Sequence, residues 1–475
     1  MHPLSAPLSR RELLGRSGLG LGWLAAGGML EASGMLEAGA RAEVAGDSRP
    51  TFQTTLAPRA PHFAPRARAV IHIFANGGPS HVDTFDPKPR LVDYAGRELP
   101  SVLKTERRTG AAFPSPFKFT RHGESGLEVS ELFAKTAAHA DDIAVIRSMV
   151  AEVPNHEPSL MHMNCGNSAQ ARPSVGAWTL YGLGSETADL PGFIAMCPGG
   201  MPIKDAENWQ AAFLPGAYQG TFVDPQHTAI EKLVENTRSR HASKATQRAQ
   251  LDLLAALDAE HAAARLDPRL EARIESFELA FRMQSAAAEA FDLAREPQWV
   301  RDRYGDHVHG RQTLMARRLL ERGVRYVQLW HGAGQPWDNH SDIAKNHRAL
   351  AGQLDGPIAA LLEDLKARGM FDDTLVIWGG EFGRTPTSEG NSGRDLNHYG
   401  FSVWLAGGGV RGGQAYGATD EFGFKAVDRP TSVHDLHATI LHLLGIDHER
   451  LTYRYAGRDF RLTDVHGRVI RDIVA

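Results

Sequence analysis

The chain has 475 residues, of which 42% are hydrophobic and 23% charged, and this is the composition of an ordinary globular protein. Its formal net charge of −4 at pH 7 gives no basis for predicting a nucleic acid or an anionic membrane as partner. Two cysteines, Cys165 and Cys197, are too few for a disulfide framework, and they are either joined to each other or buried as thiols.

The first 45 residues carry the features of a bacterial export signal. Arg10 and Arg11 stand before a short apolar stretch at residues 19–30, and small residues suited to a signal peptidase follow at 38–42. This order defines a secretory signal, and the adjacent arginines predict the twin-arginine route. A membrane anchor is the alternative, but spanning a bilayer takes about 20 strongly apolar residues. We therefore expect a signal at 1–45 and a protein of the periplasm or cell envelope, with cleavage of the signal left open.

The elements after the signal alternate between strands and helices. Residues 46–66 are rich in Pro, Ala and Arg and are interpreted as a linker, and the apolar segment 69–74 is a strand that ends at a glycine turn. Further strands are predicted at 143–146, 323–330, 374–378 and 401–405, and helices at 310–322, 342–368 and 433–444. This alternation predicts an α/β domain over 67–475, with a mostly parallel central sheet covered on both faces.

A helical insertion interrupts this alternation at about residues 224–298. The stretch is rich in Ala, Leu, Glu and Arg and poor in glycine, which favours helix throughout. We expect it to form a cap between the halves of the sheet. No segment after the signal is apolar enough to span a membrane, so no stable membrane span is expected once the signal is removed.

Residues able to bind metal or to act in catalysis cluster where the predicted strands end. In open α/β sheets, ligands bind outside the carboxyl ends of the strands. The residues at these ends are Asp83 after the first strand, His156 and Ser159 after the second, Asp338 and His340 after the third, and Glu381, Arg384 and His398 after the fourth. A capped turn or histidines packed in a core would produce the same residues in the first two segments.

The third and fourth segments indicate a metal most strongly. Asp338 and His340 stand two residues apart, and carboxylate oxygen and imidazole nitrogen both bind zinc-like ions. An Asp338 that only orients His340 would give the same spacing. Glu381 lies just past a buried strand, where a carboxylate is costly unless it is paired. It either forms a salt bridge with Arg384, or it is a metal ligand together with His398 while Arg384 faces an anionic substrate oxygen.

Acidic and histidine residues drawn from distant parts of the chain suit a two-metal hydrolytic site. Two cations about 4 Å apart hold the attacking and leaving oxygens of an ester and need five or more ligands. The predicted ion is a divalent metal, zinc or calcium. The predicted ligands are Asp83, Asp338, His340, Glu381 and His398.

Several segments resemble one protein family over nearly the whole mature chain. They are Asn76-Gly77-Gly78-Pro79-Ser80-His81-Val82-Asp83, residues 316–324, Trp337-Asp338-Asn339-His340, Glu381-Phe382-Gly383-Arg384-Thr385-Pro386 and Asn397-His398-Tyr399-Gly400. The resemblance is to the domain-of-unknown-function family fifteen-hundred-and-one, which commonly carries a twin-arginine signal and is grouped with the alkaline-phosphatase and sulfatase superfamily.

This resemblance implies an α/β/α sandwich and, in an active member, metal-assisted cleavage of a phosphate or sulfate ester. Carried across by position, Asp338 and His340 would be an Asp/His metal pair. Glu381 stands where the superfamily has the Asp of the next pair, and His398 is the late histidine. The substrate implied is a small or polysaccharide anionic ester.

The sequence also departs from the superfamily's pattern. Asn76 replaces Asp directly after the first strand, Phe382 replaces His after Glu381, and no segment has the Cys-x-Pro-x-Arg nucleophile of sulfatases. A formylglycine sulfatase is therefore not expected. A site that binds one metal, or no metal, is an alternative to the two-metal site. The non-enzymatic alternative is an envelope protein that holds an anionic polysaccharide or a protein partner. The predicted catalytic residues are Ser159, or an unidentified nucleophile in its place, with His156 and Arg384.

Overall fold

A computed structural model describes residues 56–233, 242–264 and 268–475. The predicted signal at 1–45 and the first part of the predicted linker lie outside these residues. The rest of the linker packs on the domain, where the main-chain N–H of Arg59 donates to the carbonyl of Leu183 and that of Arg66 donates to Leu443. Within the described ranges, no helix is long and apolar enough to cross a membrane.

The strands of the described chain form one large sheet and four short hairpin pairs. In chain order they are β1 Ala69–Phe74, β2 Phe119–His122, β3 Leu127–Ser130, β4 Ile143–Val150, β5 Phe193–Met196, β6 Thr221–Val223, β7 Tyr326–Trp330, β8 Thr374–Gly379, β9 Gly383–Arg384, β10 Leu396–Asn397, β11 Phe401–Ala406, β12 Gln414–Tyr416, β13 Ala418–Thr419, β14 Ala426–Asp428, β15 Thr431–Ser432, β16 Tyr453–Tyr455 and β17 Arg458–Phe460. The large sheet has nine strands in the order β12-β4-β11-β8-β1-β7-β5-β6, with β15 beside β4.

All strands of this sheet run parallel except β11. β1 lies at the centre between β7 and β8 and is parallel to both, and β5 and β6 continue the parallel arrangement beyond β7. β11 is antiparallel to β4 and to β8. The carboxyl ends of the parallel strands therefore share one edge with the amino end of β11.

Helices cover both faces of the sheet. They are α1 His81–Thr84, α2 Arg90–Asp93, α3 His156–Cys165, α4 Val175–Leu183, α5 Ile230–Leu233, α6 Lys244–Ala264, α7 Pro268–Phe291, α8 Gln298–Tyr304, α9 Val308–Leu320, α10 Ile343–Ala367 and α11 Val433–Leu443. Val70 and Phe74 of β1 pack into a core with α3, α4 and α11, whereas Ile71 and Ile73 pack into a second core with α9 and α10. Alternation along one strand thus serves two cores, and the predicted α/β/α sandwich with a mostly parallel sheet is confirmed.

Most predicted elements appear close to their expected bounds. The strand predicted at 69–74 is β1, and the helix predicted at 342–368 is α10. The short strands β5, β6 and β12 were not predicted, because three or four residues carry too weak a pattern to separate strand from loop. In the stretch predicted as a helical insertion, α5, α6 and α7 are described, and residues 234–241 and 265–267 lie outside the described chain.

The two cysteines are separate buried thiols rather than a disulfide. Burial raises the pKa of both Cys165 and Cys197 above the ordinary thiol value, so neither is poised as a thiolate nucleophile.

Candidate functional site

The centre of the candidate site is a buried contact between Glu381 and His156. Glu381 follows β8, is fully buried, and its carboxylate accepts from the main-chain N–H of Gly77 at 3.0 and 3.2 Å. Its Oε1 also lies 2.6 Å from Nδ1 of His156, the first residue of α3. Gly77 has a φ of 111°, and a Cβ there would lie 2.6 Å from the main-chain nitrogen of Asp338. One carboxylate thus joins the turn after β1 to the start of α3.

The contact with Glu381 decides which nitrogen of His156 faces the site. In the neutral ring Nδ1 carries the hydrogen that Glu381 accepts, and Nε2 carries a lone pair. This Nε2 is buried, has no hydrogen-bond partner, and lies 3.3 Å from Oδ1 of Asp338. A carboxylate that orients a histidine through its other ring nitrogen is the usual arrangement behind a histidine metal ligand.

Three side-chain nitrogen atoms converge on the carboxylate of Asp338, in the loop after β7. Nε2 of His340 lies 2.9 Å and Nη2 of Arg384 lies 2.7 Å from Oδ1, the oxygen that His156 also approaches. Burial alone would raise the pKa of Asp338, but the contacts with His156 and His340 and the charge of Arg384 hold it far below its usual range. Asp338 is therefore a permanent anion at the centre of the group.

Both histidines bridge pairs of carboxylates. Burial alone would lower the pKa of His156, but Asp338 and Glu381 outweigh it and raise that pKa. The hydrogen bond to Asp338, together with that to Glu389, raises the pKa of His340. The carboxylates thus stabilise the protonated form of each ring, and a bound cation would compete with that proton.

Arg384 lies underneath Asp338 and is fully buried. Its Nε donates to the carbonyl of Gly78 at 2.8 Å and its Nη1 to that of Arg394 at 3.2 Å, while Nη2 donates to Asp338 and to the carbonyl of Trp337. The salt bridge with Glu381 considered from the sequence is not found among the described residues, since Arg384 pairs with Asp338 instead. Its donors all point into the protein, which fits a role in positioning Asp338.

Two further carboxylates extend the group beyond His340. Nδ1 of His340 is hydrogen-bonded to Glu389, and Asp395 is fully buried, with Oδ1 lacking any hydrogen-bond partner. Neither residue was predicted from the sequence. Both lie in or next to the polar loop before His398, and no spacing rule connects that loop to His340.

Asp83 and Arg394 form a separate buried pair. Nε of Arg394 lies 2.7 Å and its Nη2 3.1 Å from the two carboxylate oxygens of Asp83, and both side chains are fully buried. The hydroxyl of Ser80 donates to the same carboxylate at 2.5 Å. Burial alone would raise the pKa of Asp83, but Arg394 outweighs it and lowers that pKa. Both oxygens of Asp83 are thus engaged away from the Asp338 group.

Ser159 and His398 also stand apart from this group. The hydroxyl of Ser159 donates to the carbonyl of Val153 at 2.7 Å, and the side chain is buried inside α3. His398 reaches the carboxyl edge of the sheet because it precedes the antiparallel strand β11, and its Nδ1 lies 2.9 Å from the carbonyl of Ala151. Burial lowers the pKa of His398, so its ring is neutral at pH 7. The structure thus brings together His156, Asp338, His340, Glu381 and Arg384, and places Asp83, Ser159 and His398 elsewhere on the edge.

The donor set at the Asp338 group fits a divalent cation. Nε2 of His156 and Oδ1 of Asp395 are buried polar atoms without a partner, which folded proteins rarely leave unsatisfied. His340, Glu389 and Asp395 also bring ligand atoms within 4.8 Å of one another. Imidazole nitrogen and carboxylate oxygen are ligands that zinc-like ions accept.

Solved structures similar to this chain include hydrolases and a synthase, all at low similarity. The alignment with the PsFucS1 sulfatase from Pseudoalteromonas sp. spans 81% of this chain and 69% of the sulfatase chain, with 11% identity and a TM-score of 0.33. The phosphonate monoester hydrolase of Agrobacterium radiobacter covers 80% and 74%, with 11% identity and a TM-score of 0.33. The lipoteichoic acid synthase LtaP from Listeria monocytogenes covers 84% and 76%, with 9% identity and a TM-score of 0.33. Similarity at this level carries no information about the activity of this chain.

No curated protein matches the chain. Its sequence does match one family over almost the entire described domain, from residue 67 to residue 474. The chain therefore belongs to the family described as "Protein of unknown function (DUF1501)".

Proposed function

We propose that this protein is an exported hydrolase of phosphate or sulfate esters that depends on a divalent cation. The observation that carries the proposal is the buried Nε2 of His156, which makes no hydrogen bond and is held 3.3 Å from the Asp338 carboxylate by the contact of its other nitrogen with Glu381. A buried imidazole oriented in this way is prepared to bind a cation rather than to fill a core.

The ligands in this proposal are Nε2 of His156, the carboxylate of Asp338 and Nε2 of His340. Mixed nitrogen and oxygen ligands favour zinc over calcium, which prefers oxygen ligands alone. A divalent cation bound there would supply positive charge to polarise an ester oxygen and to lower the pKa of water. The metal-ligand role expected of Glu381 and the substrate-facing role expected of Arg384 are revised, because both side chains are fully buried and orient ligands.

The metal-ligand role expected of His398 is revised as well, because its ring lies apart from the Asp338 group. Its Nδ1–H donates to Ala151, which leaves the lone pair on Nε2, and its pKa below the ordinary value keeps the ring neutral at pH 7. Water as the nucleophile agrees with the position of the Ser159 hydroxyl, which is turned to the carbonyl of Val153.

The activity is tested with aryl phosphate and aryl sulfate esters, using full-length protein supplied with zinc. We expect turnover that a chelator abolishes and that His340→Gln reduces by about two orders of magnitude or more. His227→Gln, a half-exposed histidine away from the site, is the matched control and should keep full activity. Turnover that is insensitive to both the chelator and His340→Gln would contradict the proposal.

The second candidate is a binding protein on the same scaffold, holding an anionic polysaccharide. It is favoured by the hydrogen bond of Ser159 to Val153, which leaves the expected serine nucleophile unavailable. The same preparations distinguish the two functions, because a binding protein would retain a sulfated polysaccharide on a column without releasing sulfate. Release of sulfate or phosphate would select the hydrolase.

We also propose that export takes the twin-arginine route to the periplasm or cell envelope. The support is the sequence of residues 1–45, with Arg10 and Arg11 before the apolar stretch. Fractionation of cells that express the full chain should find the protein outside the cytoplasm. A double lysine variant, Arg10→Lys with Arg11→Lys, should remain inside, and unchanged export of that variant would contradict the proposed route.

A further inference from the structure

A second group of cation ligands lies on the far side of His340, and the inference drawn from it rests on the proposed cation dependence. Nε2 of His340 faces Asp338, whereas Nδ1 faces Glu389. Ligand atoms of His340, Glu389 and Asp395 lie within 4.8 Å of one another. The two nitrogens of one imidazole thus point to two separate sets of carboxylates.

Close packing of two loops brings these carboxylates to His340. The main-chain N–H of Ile343 donates to the carbonyl of Ser392, and the N–H of Arg394 donates to that of Asn339. Gly393 lies between them, where a Cβ would overlap the carbonyl oxygen of His340, so only glycine permits this approach.

An unsatisfied buried oxygen marks this group as more than an acidic patch. Asp395 is fully buried, and its Oδ2 accepts the main-chain N–H of Arg107 at 2.7 Å. Its Oδ1 is buried without any hydrogen-bond partner. A carboxylate oxygen in that state is costly unless a cation or a donor approaches it.

The guanidinium of Arg107 is a positive charge beside this group. Its Nη1 lies 3.1 Å from Oε1 of Glu389, and 54% of the Arg107 side chain is exposed against 16% for Glu389. The hydrogen bond to Glu389, with the charges of Asp338 and Asp395, raises the pKa of Arg107. One exposed arginine therefore extends from solvent into the field of three carboxylates.

We propose that His340, Glu389 and Asp395 form a second divalent-cation position, and that the Arg107 guanidinium occupies its outer side until a cation replaces it. The exposed arginine is free to leave, because its ion pair with Glu389 lies at the surface, and surface pairs contribute little stability. The carboxylates of Glu389 and Asp395 are held by the loop packing around Gly393 and remain in place.

The exchange changes which positive group an anionic ester would meet. The local charged groups are the carboxylates of Asp338, Glu381, Glu389 and Asp395 and the guanidiniums of Arg384 and Arg107. With neutral histidines, one divalent cation brings this set to neutrality. A second cation on Nδ1 of His340 replaces the last ring proton, so with Arg107 withdrawn the set stays neutral. A fixed cation, instead of an exposed side chain, then faces a substrate carrying a phosphate or sulfate group.

The test is a titration of chelator-treated full-length protein with zinc, followed by calorimetry and by metal analysis after gel filtration. Wild type should bind one cation tightly and a second more weakly. Arg107→Ala should tighten the second binding event by about fivefold, because the competing guanidinium is gone. Arg108→Ala removes a neighbouring exposed arginine and should leave both events unchanged.

Loss of the second event alone is expected in Glu389→Gln, a substitution near the surface that keeps the side-chain shape. Asp395→Asn should have the same effect, and its circular dichroism spectrum shows whether it folds. A wild-type second event that persists in Glu389→Gln, or weaker second binding in Arg107→Ala, would overturn the inference. Binding of a single cation by wild type would do so as well, while absence of any bound cation would count against the proposed function itself.

Discussion

Replacement of Glu381 by glutamine is expected to weaken cation binding at the first site while the protein still folds. The carboxylate accepts Nδ1–H of His156 at 2.6 Å and the N–H of Gly77 at 3.0 Å. Both donors reach Oε1, so the amide oxygen of glutamine is able to accept from both, but its NH2 group then replaces Oε2, 3.2 Å from the N–H of Gly77. It also lacks the charge that makes the hydrogen bond to His156 about twice as strong as a neutral one.

Loss of a carboxylate behind a histidine ligand lowers metal affinity by about 10- to 100-fold, which is about 1.4 to 2.7 kcal/mol. Zinc titration of the chelator-treated variant, with competition by a chromogenic chelator, measures this directly. Glu157→Gln is the matched control, since Glu157 is exposed on the next residue of α3 and its loss removes the same charge. A folded Glu381→Gln variant with wild-type zinc affinity would refute the orienting role of Glu381.

Three further outcomes follow from the contacts at the edge of the sheet. Ser159→Ala should keep hydrolytic activity and lose about 1 kcal/mol of stability, because it removes only the hydrogen bond to Val153; abolished turnover with intact zinc binding would make Ser159 the nucleophile after all. Asp83→Asn should reduce the free energy of unfolding in urea by about 3 to 5 kcal/mol, because it leaves buried Arg394 without its anion; a loss below about 1 kcal/mol would contradict this. Arg394 outweighs burial and lowers the pKa of Asp83 in the folded protein. The pair therefore stabilises wild type fully at pH values above the unfolded pKa of about 3.9, and this stabilisation should disappear as the pH falls through the folded pKa. Equal loss of stability in acid by wild type and Asp83→Asn would exclude this contribution.

Local patterns in the sequence predict the scaffold and one part of the site. The apolar segment of β1 and the glycine turn after it are recognisable in the sequence. The pair Asp338 and His340, two residues apart in one loop, is recognisable as well. Because the carboxyl ends of parallel strands meet at one edge, His156 and Glu381 were also expected near this pair.

The roles within the site depend on contacts between residues far apart in the chain. His156 and Glu381 are separated by 225 positions, and Asp83 and Arg394 by 311. A carboxylate looks the same in the sequence whether it binds a cation, orients a histidine or neutralises an arginine. The direction of β11, which brings His398 to the edge from its amino end, likewise follows from strand pairing and has no local signature.

The most direct test of the cation-dependent site is metal analysis of the full-length protein purified from its own compartment without chelators. Wild type should contain a stoichiometric divalent cation of the zinc class. His340→Gln should lose that cation while it keeps the circular dichroism spectrum of wild type, because His340 lies in a half-buried loop position rather than in the core. Wild type without a bound cation, or a His340→Gln variant that retains the full amount, would contradict the account.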